Sequence, residues 1–147
     1  MEDTNTTQFE KRVPTLEEFR GLRANAGWPS PSNENMGIAL TKTLFGVCVK
    51  CPEGQTIGMG RVVGDGGVQV FITDVIVRKD WQNRGLGSEI MENLMQYVEA
   101  NTSPETFVGL FSAFGRDKFY EKFGFIVRPN ETFGPGMMLV HGKHDDK

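Results

Sequence analysis

No run in this sequence is long and apolar enough to cross a bilayer. The longest nearly apolar stretch, Phe107–Phe114, falls far short of the roughly 20 residues a spanning helix needs. Nor is there an excess of positive charge. Sixteen Lys and Arg face nineteen Asp and Glu, a net charge of −3, which excludes the basic footprint of a dedicated nucleic-acid binder. Residues 1–20 have no apolar run and carry Glu2, Asp3 and Glu10. A secretion signal or an acid-poor transit peptide is therefore not expected, and a soluble cytoplasmic protein is. Cysteine is scarce too: Cys48 and Cys51 form one CxxC with no second pair, and His141 and His144 lie far off in a polar C-terminal segment. A structural zinc site needs four ligands, so no metal is expected. Cys48 lies in the apolar run Phe45–Val49 and reads as a core residue. With no internal repeat or low-complexity segment, residues 1–147 read as one domain with loose ends at 1–8 and 142–147.

What is present is enough apolar material for a core, 38% of residues with 11 Phe, and an excess of glycine, 18 in all. A short strand is expected near Phe9–Val13. Thr15-Leu16-Glu17-Glu18 has the form of a capping box, and Leu16, Phe19, Leu22 and Arg23 follow with helical spacing up to Gly27. A second helix is expected at Ser32–Thr43, beyond the stiff Trp28-Pro29-Ser30-Pro31 loop. The period then turns to strand. Leu44–Lys50, Thr56–Val63 and Val68–Val77 are separated by Pro52-Glu53-Gly54 and Gly64-Asp65-Gly66-Gly67, both of which read as turns. Leu86, Ile90, Met91, Leu94, Met95 and Val98 form the apolar stripe of a long helix. Phe107–Phe111 predicts a strand, Arg116–Lys122 a short helix, and Phe125–Arg128 and Met137–Val140 closing strands. The pattern is an α/β (α+β) chain: a mixed, mostly antiparallel sheet of about six or seven strands flanked by about four helices.

The segment richest in chemistry follows the strand Ile72–Val77. Gln82-Asn83-Arg84-Gly85-Leu86-Gly87-Ser88 is a glycine-rich turn opening a helix, so free N–H groups and the positive end of the helix dipole meet there. Such a turn suits a phosphate or pyrophosphate, and Arg84 adds a cationic donor. It is not a Walker loop, because no lysine precedes Ser88. It is not the dinucleotide fingerprint either, because Ile90 stands where a third glycine is required.

Gln82-x-x-Gly85-x-Gly87 resembles the signature of the GNAT superfamily of N-acetyltransferases, and Phe119-Tyr120-Glu121-Lys122-Phe123-Gly124-Phe125 is similar to that family's C-terminal segment. The resemblance runs from about Gly58 to Arg128, more weakly through the preceding helices. It implies the acyl-CoA N-acyltransferase fold and acetyl-CoA (acetyl-coenzyme A) as cofactor. It further implies direct transfer of the acetyl group to an amine. By that resemblance the main chain of Val75, Ile76 and Val77 pairs with the pantetheine arm at a bulge. The amides of Arg84, Gly85, Leu86, Gly87 and Ser88 hold the pyrophosphate, and Gln82 and Asn83 are further cofactor-binding residues. The backbone N–H near Val75 polarises the thioester carbonyl, and Tyr120 protonates the leaving thiolate as a general acid. An Asn that the family often places seven residues before the tyrosine is Ala113 here, with Ser112 beside it as the remaining cofactor contact.

Asp74 is an acid on an otherwise apolar strand and must be paired or line a cavity. It reads as a water-linked general base or, equally, as a structural acceptor. Trp28, by resemblance, lies over the acceptor site; its alternative is surface packing. Trp28, Phe71 and Asp74 are thus the candidate acceptor residues, and Tyr120 and Asp74 the candidate catalytic ones. The expected partner is a small-molecule amine of amino sugar, arylalkylamine or polyamine type, with a homodimer left open and no nucleic acid or membrane. A protein or peptide N-acetyltransferase and a non-catalytic acyl-CoA-binding module are the rival readings.

Overall fold

In the computed structural model, which describes residues 6–141, local signals set most element ends. Strand β1 spans Gln8–Glu10. Helix α1, Leu16–Asn25, begins at a complete capping box. The Thr15 hydroxyl accepts the Glu18 N–H at 3.1 Å, and the Glu18 carboxylate accepts the Thr15 N–H at 2.8 Å. Gly27, at φ +79°, follows the last turn in the left-handed region that glycine adopts freely. Helix α2 spans Asn33–Thr41 with Ser32 as its cap. Strands β2 (Phe45–Lys50), β3 (Thr56–Gly64) and β4 (Gln69–Val77) follow. A 3₁₀ turn at Lys79–Trp81 leads into helix α3, Leu86–Asn101, and then strand β5, Phe107–Leu110. In the β3–β4 turn the Asp65 carboxylate accepts the N–H groups of Gly67, Val68 and Gln69, each at 2.9 Å, and this holds its pKa below the usual range.

The sheet runs β1-β2-β3-β4-β5, antiparallel except for the parallel β4–β5 pair that α3 connects. One face carries α1 and α2, where Phe19, Leu22 and Met36 close over Met59 and Ile76. Helix α3 covers the other face with Leu86, Ile90, Met91, Leu94 and Val98. Gly60 lets it come close: a Cβ there would stand 2.8 Å from both Ile90 and Leu94. Both cysteines are buried and free, and burial pushes the Cys48 thiol up to about 12.

The chain divides after Phe111, and residues from Ser112 onward form a separate compact unit. This unit contains helix α4, Asp117–Glu121. Phe125–Arg128 and Met137–Val140, expected as strands, are irregular, so the described residues hold five strands rather than six or seven. Between the two segments, next to Pro129, the Asn130 side chain accepts the Thr132 and Phe133 N–H groups at 2.8 Å and the Asn130 N–H donates to the Phe133 carbonyl at 2.9 Å, closing a turn. Of the ends expected to be loose, residues 1–5 and 142–147 lie outside the described residues, whereas Gln8 belongs to β1.

Glu18 does more than cap α1. Its carboxylate takes both Arg12 Nη atoms, at 2.8 and 2.9 Å, and the Thr56 hydroxyl, joining α1 to β3. The Arg12 guanidinium chiefly lowers its pKa from the ordinary 4.5 to about 2. A depressed carboxyl stabilises the fold fully above its unfolded pKa and loses that contribution as pH falls through its folded one. Wild-type protein should therefore lose stability between pH 4.5 and about 2 more steeply than Glu18→Gln. Melting temperatures across that window check this; parallel curves would deny Glu18 the role.

Candidate active site

The site is built on a mismatch of strand lengths. The β4–β5 ladder covers Gln69–Ile72 and Phe107–Leu110, but β4 continues to Val77. Beyond Ile72, then, β5 does not pair with β4, and the main chain of Thr73–Val77 keeps an edge that an extended ligand can join. On the other side of β4 the register with β3 slips between Arg61↔Thr73 and Met59↔Ile76, so Asp74 and Val75 together oppose Gly60. This is a bulge, and Asp74 occupies it at φ +54°. Aspartate is one of the few non-glycine residues that visits this region.

The turn beyond β4 is strapped down from two sides. The Lys79 N–H donates to the Asn25 side chain at 2.9 Å, tying the turn to the end of α1. The Gln82 side-chain amide donates to the Val77 carbonyl at 2.9 Å, tying the loop to the end of β4. Asn83 at φ +66° and Gly85 at φ +83° then reverse the chain into α3. The first bond of the helix runs from the Glu89 N–H to the Gly85 carbonyl, at 3.2 Å. The N–H groups of Leu86, Gly87 and Ser88 thus have no carbonyl one turn earlier to bond, and they stand at the positive end of the helix. A Cβ on Gly85 would meet nothing within 4 Å, so the approach is open. Arg84 lies with its guanidinium 4.3 Å from the Trp81 ring centre, a cation–π contact that keeps a positive charge beside the loop.

Asp74 is paired, and more fully than its sequence context required. Arg23 Nη1 donates to Oδ1 at 2.7 Å, while Arg61 Nη2 and Nε donate to Oδ2 at 2.8 and 3.1 Å. The carboxylate side chain is only 4% exposed. Arg61 also donates to the Thr43 hydroxyl at 2.7 Å and the Ala39 carbonyl at 3.3 Å, and Arg23 donates to the Pro29 carbonyl at 2.9 and 3.1 Å. Both guanidiniums lie over the Phe19 ring, at 4.9 and 5.8 Å, and Arg23 also over Trp28 at 5.5 Å.

Trp28 and Asp74, expected near the acceptor, are therefore brought together through Arg23. Trp28 also packs on the core beneath α1 and α2. Phe71 instead faces Phe107, with ring centres 5.8 Å apart. In the second unit, Ser112 is exposed and its hydroxyl donates to the neighbouring Ala113 carbonyl. Tyr120, in α4, is half-buried among Phe119 and Phe125. Burial pushes its hydroxyl pKa up against the opposing pull of Arg116, so the phenol holds its proton at neutral pH. Arg23 and Arg61 escaped the sequence reading as site residues. A signal existed: an arginine inside the apolar strand Ile57–Val63 needs an acid across the sheet, and Asp74 is the only acid on β4.

Comparison with known proteins identifies the family. Residues 43–127 match the family model described as an acetyltransferase (GNAT) domain. A solved structure from methicillin-resistant Staphylococcus aureus, described as a probable acetyltransferase, is 36% identical, with a TM-score of 0.82 over 91% of this chain and 98% of that one. GCN5-related N-acetyltransferase 1, chloroplastic, of Arabidopsis thaliana is 25% identical over 99% of this chain and 75% of its own length. The uncharacterized N-acetyltransferase ycf52 of Pyropia yezoensis is 29% identical over 81% of this chain and 69% of its own.

Removing the Asp74 carboxylate leaves two guanidiniums facing each other with little solvent. Asp74→Ala should lower unfolding stability by about 3–5 kcal/mol, the range for breaking a buried ion pair. Urea titration measures this, and a loss near zero would mean that water reaches the cluster freely.

Proposed function

Because the chain belongs to the GNAT acetyltransferase family, and is thus an acetyl-CoA-dependent N-acetyltransferase, we propose that it acetylates a small primary amine by direct transfer. Bound acetyl-CoA supplies an acetyl group already activated as a thioester. One observation carries the reading of how the chain would hold it: unpartnered N–H groups at the start of α3 lie at the end of a strand that outruns its neighbour. The N–H groups of Leu86, Gly87 and Ser88, with Arg84, take the pyrophosphate, and Asn83 and Gly85 shape the turn. The edge of β4 from Val75 to Val77 pairs with the extended arm as an added strand. In this reading Gln82 is a strap for the loop, since its amide is spent on the Val77 carbonyl.

Direct transfer suits the cysteines. Cys48 is fully buried with its thiol pushed up to about 12, and Cys51 is buried as well, so neither sulfur is open to a substrate for a covalent step. The amine nitrogen attacks the thioester carbonyl, the carbon–sulfur bond breaks, and Tyr120 Oη donates its proton to the departing sulfur. The proton shed by the amine passes through solvent to restore the phenol, which burial keeps protonated at neutral pH. Ser112 is retained as a contact from the loop after β5. Asp74 is not assigned the base, because both its oxygens already accept guanidinium N–H groups. The same pairing disfavours a polyamine, whose several ammonium groups need unpaired carboxylates. An amino sugar or arylalkylamine is the acceptor class we favour, with Trp28 as the aromatic surface; Phe71, packed on Phe107, is not part of it.

Thiol release from acetyl-CoA, assayed against glucosamine, phenethylamine, spermidine and lysine-bearing peptides, tests the proposal. Turnover should appear with the first two and not with the others. Turnover confined to peptides, or coenzyme A binding with no turnover at all, would replace it by one of the rival readings.

Tyr120→Phe keeps the ring and its contacts with Phe119 and Phe125 while deleting the proton donor. We expect kcat to fall about 10-fold or more, less than the usual ~10²–10⁴-fold for a lost general acid where a water partly replaces the hydroxyl, with coenzyme A affinity and melting temperature nearly unchanged. A variant with wild-type kcat across the pH range would make the hydroxyl a structural tip only.

A further inference from the structure

Pairing one carboxylate with two guanidiniums is more than charge burial requires, and the three residues come from places that have no reason to be joined. Asp74 is the bulge residue of β4, held at φ +54° where a side chain is rarely found. Arg61 reaches it from the neighbouring strand and also ties the end of α2 through Ala39 and Thr43. Arg23 reaches it from α1, and its remaining bonds go to Pro29, in the loop that carries Trp28. Trp28 is itself fixed at both ends of this arm: its N–H bonds the Arg23 carbonyl at 3.0 Å, and its ring lies beneath the Arg23 guanidinium. The loop that leaves α1 and the strand that leads to the Gly85 turn therefore hang on the same two oxygens.

We propose that Arg23, Asp74 and Arg61 are positioning residues, a two-armed clamp that fixes the β4 bulge and locks the Trp28–Pro29 loop to it. Their work in acetyl transfer is geometric. The Arg61 arm sets the direction of the main chain at Val75–Val77, and the Arg23 arm sets the distance from that main chain to the acceptor loop. Neither arginine touches the reacting atoms. The proposal rests on the functional reading above for its kinetic consequences, but the clamp itself is a property of the ligand-free protein.

Amide hydrogen exchange of the ligand-free protein tests it without activity. In Arg23→Gln, exchange should quicken about tenfold or more at Trp28, whose N–H bonds the Arg23 carbonyl, while Val75–Val77, still held by the Arg61–Asp74 pair, and the β2 amides stay at wild-type rates. Unchanged exchange at Trp28 would overturn the clamp, whatever the enzyme does. Kinetics then read the function with the best amine of the panel. Arg23→Gln, which leaves the Arg61–Asp74 pair intact, should raise the amine KM several-fold and lower kcat, with coenzyme A affinity by calorimetry within about threefold of wild type. Arg23→Lys, which keeps a charge but not the fork that spans Asp74 and Pro29, should restore only part of the loss. In Asp74→Asn, an amide that tolerates the same backbone, kcat should fall while the shape of the pH–rate profile is retained. Loss of the acidic limb would instead make Asp74 a general base and overturn its assignment as a positioning residue. Should Asp74→Asn fail to fold, the Arg23 pair decides alone: wild-type kinetics in both folded variants would reduce the cluster to structure. A wild-type protein that binds coenzyme A but acetylates nothing refutes the functional reading and leaves the exchange result standing by itself.

Discussion

A carboxylate withdrawn from water must find cations, and where it finds them decides what else is held in place. Asp74 lies where β4 has run past its pairing with β5, and its partners come from helix α1 and from the adjacent strand β3. Desolvating three charges is costly, and a well-packed apolar cluster of similar volume is often as stable or more so. What an apolar cluster lacks is direction. A guanidinium fork fixes an angle as well as a distance, and here two forks fix the one residue at which β4 departs from regular pairing. The aromatic floor formed by Phe19 adds attraction to both arginines while excluding water from the pairs.

The two faces of the sheet divide the remaining work. Helix α3 rests on Gly58 and Gly60, where the absence of side chains lets Ile90 and Leu94 come down onto the strand. Since α3 begins at the Gly85 turn, the depth at which it seats also sets where its free N–H groups stand. On the opposite face, α1 and α2 close over Met59 and Ile76 and bring the Trp28 loop with them. The bulge is the point at which the two faces communicate, because Gly60 opposes it on one side and Arg61 grips it from the other.

Much of this was legible in the sequence wherever the cause was local. The capping box at Thr15, the Asp65 turn and the apolar stripe of α3 each depend on residues within a few positions of one another, and each formed as expected. The Gly85 turn was legible for the same reason. The clamp was not: Arg23 and Asp74 are 51 positions apart, and on its own Arg23 reads as an ordinary solvated residue near the end of an amphipathic helix. Asp74 announced only that it needed a partner. The C-terminal strands were misjudged for a different reason. Ile126-Val127 and Met137–Val140 have apolar β-type composition, but composition counts side chains, whereas a strand exists only where a neighbouring strand completes its ladder.

A strand that outruns its neighbour is ordinarily a hazard, because its unpaired N–H and C=O groups invite the strand of another molecule to zip along it. The stretch of β4 past Ile72 is kept from this by its own irregularity. With Asp74 in the left-handed region and an extra residue in the ladder, the edge is short, twisted and out of phase, so a flat foreign strand finds no continuous set of partners. A slender, flexible chain with few hydrogen-bonding groups of its own asks for far less regularity and can still use it. The distortion that, in the proposed reading, suits this edge to a cofactor arm thus also makes it a poor template for another molecule's strand.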